Sequence, residues 1–205
     1  MTKIINDFIK KSIEEDIGGG DVTSIACIKK GTIGEAQLIA KEPCQIAGIN
    51  IAKKIYTFYD KNLDFKPFFK DGDSVKKNSV IFLISGDKRS ILATERLVLN
   101  CMQRMSGIAT KTHKFINKLK GLNTIILDTR KTCPNIRFLD KEAVKIGGGE
   151  NHRNGLYDTI MIKDNHIDFC GSITKAIEKS KNYVKKYKRE IPIIIEVRNL
   201  AELHK

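Results

Sequence analysis

The sequence predicts an α/β protein in two parts: helices packed on an antiparallel sheet, followed by strands that alternate with helices. Two observations carry this. Before about residue 110 the chain shows short strand-like runs separated by turns and helical stretches, the pattern of an α+β layer. From Asn123 onward the order becomes apolar run, polar motif, helix, apolar run, polar motif, which implies parallel pairing in a barrel or a doubly wound sheet.

Taken in order, Ile4, Ile5, Phe8, Ile9 and Ile13 recur at helical spacing, and Gly18-Gly19-Gly20 ends the pattern, so a helix is expected over Ile4 to Asp16. Strands are expected around Gly34 to Lys41, Leu63 to Phe69 and Ser79 to Ser85, with a helix over Ile49 to Tyr59 between them. The stretch from Ser90 to Leu119 contains no proline and places apolar residues at helical spacing; it reads as a helix interrupted at Gly107. Beyond it, strands are expected at Thr124 to Leu127, Thr159 to Ile162 and Ile191 to Val197, and helices at Leu139 to Lys145 and Ile173 to Lys186. The two domains are set at residues 1–110 and 111–205.

A chain of 205 residues with 41% hydrophobic and 30% charged residues has the balance of a globular protein large enough to bury a core. No run approaches the roughly 20 apolar residues a membrane span needs, and Met1 to Lys11 alternates polar with apolar residues, unlike a signal peptide. The expectation is a cytoplasmic protein with no membrane partner. Cys27, Cys44, Cys101, Cys133 and Cys170 are scattered without a CxxC pair, as expected of reduced, mostly structural thiols. The net charge of +13 suits a nucleic-acid binder, a membrane-surface protein or an enzyme of polyanionic small molecules. Its distribution is more telling. Only eight of the 37 basic residues are arginine, and Arg96, Arg130 and Arg153 fall in motif-like stretches, where a planar fork has a use that a surface lysine lacks.

The chemistry is expected where polar residues follow strands, because β/α barrels build their sites at the C-terminal strand ends. Thr124 to Leu127 runs into Asp128-Thr129-Arg130-Lys131-Thr132. Thr159 to Ile162 runs into Lys163-Asp164-Asn165-His166, and Ile191 to Ile195 into Glu196. Between the first two lies Gly147-Gly148-Gly149-Glu150-Asn151-His152-Arg153. Arg130, Lys131, His152, Arg153 and Lys163 with a single carboxylate suit a ligand bearing carboxylates and phosphates. Arginine binds such groups bidentately, lysine supplies a point charge, a glycine turn lets backbone N–H groups approach an anion, and the acid is left for Mg²⁺.

The same stretches carry a resemblance. Asp128 to Pro134 (DTRKTCP), Lys145 to Leu156 (KIGGGENHRNGL) and Ile162 to Ile167 (IKDNHI) resemble three successive signatures of the quinolinate phosphoribosyltransferase family. Glu15 to Thr23 (EDIGGGDVT) and Glu95-Arg96 with Ser106 to Thr110 (SGIAT) resemble its two N-terminal ones. The resemblance implies an N-terminal α/β sandwich followed by an open, TIM-like β/α barrel. It implies transfer of a phosphoribosyl group from phosphoribosyl pyrophosphate to quinolinate, with Mg²⁺, giving nicotinate mononucleotide, pyrophosphate and CO₂ in NAD biosynthesis. It implies Thr129, Arg130, Lys131, His152 and Arg153 around quinolinate, Lys163 near the reacting centre, and Glu196 on the ribose or Mg²⁺ side, with Lys131, Lys163 and Glu196 catalytic. It also implies a homodimer or hexamer in which Arg96 is lent across the interface.

Three departures from the family pattern bear on this. Asn135 stands where glycine is usual, and asparagine also tolerates the left-handed backbone. Near Glu196 the family often shows two acids at alternate positions; here Ile194 and Glu196 fill them, and a shifted register would bring in Arg198. The family also continues beyond the position of Lys205 through further strands, so the chain is expected to be a C-terminally incomplete piece of the barrel; a 205-residue molecule is expected to lack turnover and to fold poorly alone. Two rival readings are weighed against this one. A paralogue associated with molybdenum transport shares the fold, but the intact DTRKT and NHR cation sets favour quinolinate. A nucleic-acid binder explains the charge but not the arginines at strand ends, and the chain has no Trp and no aromatic stacking pattern.

Overall fold

The structure is a computed structural model that describes residues 2–205. The chain divides into two compact units, Met1–Asn151 and His152–Lys205.

In the first unit, α1 (Thr2–Ile17) buries Ile5 and Ile9 and packs Phe8 and Ile13 on the same core. Gly18, at φ +52°, then turns the chain into α2 (Val22–Cys27), whose N-cap Asp21 accepts a hydrogen bond from the Ser24 amide at 3.0 Å. Three strands, β1 (Ile33–Ile39), β3 (Asp64–Pro67) and β5 (Val80–Asp87), form an antiparallel sheet in the order β1-β5-β3. A second antiparallel pair joins β2 (Cys44–Gln45) to β4 (Ser74–Val75). Ile81, Phe82 and Ile84 of β5 are buried because β5 is the central strand. Tyr56 of α3 (Ile49–Tyr59), Phe65 and Phe82 meet there with ring centroids 4.7–6.0 Å apart.

Helix α4 (Lys88–Lys118) is started by Asp87, whose carboxylate accepts from the amides of Arg89 and Ser90. The interruption expected at Gly107 does not occur: the helix runs unbroken for 31 residues. A mid-helix glycine costs about 1 kcal/mol relative to alanine. Burial of Val98, Met102 and Met105 before it and Ala109 after it outweighs that cost. The strand expected at Thr124 to Leu127 is also absent as a strand. Leu127 forms one isolated parallel bridge with Glu150, and Thr124 and Ile125 are exposed, because within this unit the segment has no second ladder neighbour. Helix α5 (Arg137–Ile146) follows and packs Leu139 and Ala143 into the core of the unit.

The second unit has the expected alternation. β6 (Ile160–Ile162) and β7 (Ile193–Ile195) pair in parallel, Ile162 opposite Ile195. Between them run α6 (Asp164–Cys170) and α7 (Ile173–Lys186), and α8 (Leu200–Leu203) follows β7. Ile162, Ile167, Ile173 and Ala176 form its small core. Helix α6 is an addition to the sequence reading, which took its first residues only as the polar end of a strand.

Candidate active site

In the first unit the segment after Leu127 is a braced loop. Asp128 enters it with its carboxylate 2.5 Å from the Lys141 ammonium, both side chains almost wholly buried. The Asn151 amide nitrogen, oriented to suit its neighbours, donates to Asp128 at 2.7 Å and to the Lys141 carbonyl at 2.9 Å. Inside the loop the Lys131 amide donates to Thr129 Oγ1 at 3.1 Å, and Arg137 Nε donates to Thr132 Oγ1 at 2.9 Å. At the far end the Cys133 amide donates to Asp140 at 3.2 Å, while Arg104 grips the same carboxylate through two bonds of 2.6 and 2.8 Å. Hydrogen bonding to Asp140 raises the Arg104 pKa above its ordinary value. Asn135 turns the chain at φ +65°, the left-handed conformation expected of it.

Two side chains of the loop are left over. Arg130 is half-buried, and among the described residues its buried Nε has no hydrogen-bond partner; Lys131 is exposed, and no described residue pairs with it. A buried, unsatisfied guanidinium nitrogen costs free energy unless something accepts from it. Arg96 projects from the exposed surface of α4, and no described residue holds its guanidinium.

The glycine turn does something other than expected. The amides of Gly147, Gly148 and Gly149 all donate to carbonyls of α5, at 3.0, 2.9 and 3.0 Å, so none is left to approach an anion. The glycines are needed for space and conformation. A Cβ on Gly147 would lie 2.5 Å from the Ala109 carbonyl oxygen, and Gly148 sits at φ +92°.

In the second unit the parallel pairing sets two further site residues side by side. Lys163 and Glu196 each follow the last residue of a strand, the Glu196 amide donates to the Ile162 carbonyl at 2.9 Å, and their charged groups meet at 3.0 Å. Both remain substantially exposed, at 45% and 58%. Lys163 also caps α6, its amide donating to His166 Nδ1 at 3.0 Å. His152 and Arg153 are half-buried, and Arg153 reaches the Thr159 carbonyl at 3.4 Å. Ile194 carries no charge, and Arg198 is engaged by Asp168 and Glu202.

Among the described residues no three His, Cys, Asp or Glu side chains converge as a metal site. A single exposed carboxylate such as Glu196 fits only an ion held mainly by a ligand's phosphates, which is how Mg²⁺ is commonly bound. The sequence reading missed Arg104, Asp140, Lys141 and Asn151. The available signal was a pair of adjacent charges in α5 beside Leu139 and Ala143, on a helix otherwise patterned for burial.

An antiparallel sheet with packed helices, followed by a parallel β/α pair with Lys163 and Glu196 just past its strand ends, is an architecture that builds its sites at those ends. Family models described as "Quinolinate phosphoribosyl transferase, N-terminal domain" and "C-terminal domain" match residues 21–106 and 108–205. The chain belongs to the quinolinate phosphoribosyltransferase family. It is 43% identical over 96% of its length to quinolinate phosphoribosyltransferase [decarboxylating] 1b of Nicotiana tabacum, and 44% identical over 88% to a probable nicotinate-nucleotide pyrophosphorylase [carboxylating] of Bacillus subtilis. It covers 56% and 61% of those proteins, so it spans little more than half the length of the curated relatives it matches. The crystal structure of NadC from Streptococcus pyogenes superposes with a TM-score of 0.91 at 36% identity, over 98% of this chain and 72% of that one. The nicotinate-nucleotide pyrophosphorylase from Francisella tularensis gives 0.91 at 37% identity, over 100% and 71%. Among the described residues no helix is long and apolar enough to cross a membrane.

Proposed function

We propose that the chain carries the quinolinate-binding half of a phosphoribosyl transfer that forms nicotinate mononucleotide, pyrophosphate and CO₂ from quinolinate and phosphoribosyl pyrophosphate. The observation that carries this is the braced Asp128–Cys133 loop, which holds an arginine and a lysine next to each other with neither cation committed to the protein. Adjacent fixed cations match a pyridine with carboxylates on neighbouring carbons, and the names of the relatives are those of this reaction.

In the reaction the pyridine nitrogen bonds to ribose C1 as the bond from C1 to the pyrophosphate oxygen breaks, and the electron pair leaves with pyrophosphate. Arg130, Lys131, His152 and Arg153, with Thr129 beside them, hold the dianion so that its nitrogen faces C1, which removes much of the barrier by orientation. Lys163 serves the reacting centre and Glu196 the ribose side. Glu196 would help to hold Mg²⁺, which would supply charge neutralisation to the leaving group. The ring nitrogen, now positive, stabilises the carbanion left on the adjacent ring carbon when its carboxylate departs as CO₂, and that carbon then takes a proton. No protein nucleophile is required. The reading includes a homodimer or hexamer to which Arg96 contributes across the interface, and a cytoplasmic setting.

Calorimetric titration with quinolinate tests it. Losing an interaction with a charged group costs about 1.5–3 kcal/mol, so Arg130→Ala is expected to weaken binding roughly ten- to a hundredfold. Unchanged binding in a folded Arg130→Ala protein overturns the reading.

A further inference from the structure

The loop that presents Arg130 and Lys131 is anchored at both ends by consecutive residues of one helix. Lys141 of α5 holds Asp128 at the entrance, and Asp140, its neighbour in sequence, holds the Cys133 amide at the exit. Arg104 reaches from α4 to clamp Asp140 from behind.

We propose that Arg104, Asp140 and Lys141 are positioning residues that set the spacing of the Arg130 and Lys131 cations, and so select a ligand with two adjacent carboxylates over one with a single carboxylate. This rests on the reading that Arg130 and Lys131 bind quinolinate.

The choice of buried charge is the main argument. Lys141 and Asp128 are 4% and 6% exposed at their side chains and Asp140 is 7% exposed, on a helix whose flanking Leu139 and Ala143 are ordinary core residues. Buried ion pairs add little net stability, because desolvation consumes most of the Coulomb gain, and well-packed apolar residues often replace them without loss. What apolar residues do not provide is direction. Two charge-assisted contacts, on residues 128 and 133, fix both ends of a short loop to one rigid helix. The interior of the loop is closed as well, by Thr129 on the Lys131 amide and Arg137 on Thr132. The loop thereby acts as a mount, and its two uncommitted side chains are the two cations.

Affinities for quinolinate and for nicotinate, which carries one carboxylate on the same ring, are measured by calorimetry, with the thermal midpoint of each variant recorded. Arg104→Gln keeps the size of the side chain but removes the fork, and its site is partly exposed, so the fold is expected to persist. The expected result is a loss of about tenfold or more for quinolinate with a loss under about threefold for nicotinate. Arg104→Lys, which restores charge without the fork, is expected to leave the selectivity impaired. The double replacement Asp128→Leu with Lys141→Met removes the entrance anchor without stranding a charge, and it too is expected to lower selectivity. A folded Arg104→Gln protein with unchanged selectivity, or with equal losses for the two ligands, overturns the positioning role. If Arg130→Ala itself leaves quinolinate binding intact, the reading of the site fails instead.

Discussion

Two lysine–carboxylate pairs in this chain look alike on paper and differ in every physical respect. Lys141 and Asp128 meet at 2.5 Å with side chains 4% and 6% exposed, whereas Lys163 and Glu196 meet at 3.0 Å and stay 45% and 58% exposed. The first pair is sealed in the core of the first unit and further secured by Asn151. The second follows two parallel strand ends and can exchange its partner for a ligand at little cost, because an exposed ion pair is worth only about 0–1 kcal/mol. Burial turns the same chemistry into scaffold in one place, and exposure leaves it available for function in the other.

Breaking the buried pair is the sharpest way to expose that difference. Lys141→Met strands a buried carboxylate and is expected to cost about 3–5 kcal/mol, measured as a shift in urea unfolding. A loss below 1 kcal/mol would show that Asp128 is solvated after all. Next in size comes Gly147→Ala, whose methyl group would sit 2.5 Å from the Ala109 carbonyl oxygen and 2.7 Å from Thr112 Cβ. Overpacking of this kind costs about 1–3 kcal/mol, read from the same unfolding curves. At the exposed pair, Lys163→Ala is expected to change stability by less than about 1 kcal/mol while weakening ligand binding in the calorimetric titration. A large stability loss there would contradict the contrast. The smallest effect is expected of a thiol reagent. Cys101 is buried and its pKa is pushed up to about 11, so it stays protonated and inert at neutral pH, whereas exposed Cys27 and Cys133 label first. Peptide mapping after timed alkylation distinguishes them.

How much of this was legible in the sequence varies with the range of the forces involved. Helices α3 and α7 begin and end where periodicity placed them, because their apolar stripes are local and strong. The positions of Lys163 and Glu196 just past strand ends could be read because an apolar run followed by a charged residue is a short-range pattern. Thr124 to Leu127 has strand-forming residues, but a ladder needs neighbours, and only Glu150 supplies one. The bracing of the loop was invisible for a similar reason. Burial of Asp140 is tolerable because of Arg104, 36 residues earlier in the chain and on another helix, and no window of sequence contains both. The scarcity of arginine was a usable hint. Arg89, Arg104, Arg137 and Arg198 make side-chain hydrogen bonds with their guanidinium groups, whereas Arg96 and Arg130 have no partner among the described residues.

Helix α4 has one more consequence, for how such a protein can be taken apart. The two family models meet at residue 107, in the middle of a continuous rod of 31 residues that is about 46 Å long at 1.5 Å per residue. The seam between the two halves is therefore neither a linker nor a hinge. Recombination or protease cleavage at that point would sever a hydrogen-bonded ladder and expose Met105 and Ala109. The boundary between the two family models is a seam for sequence comparison, but in this chain it falls inside a single continuous helix.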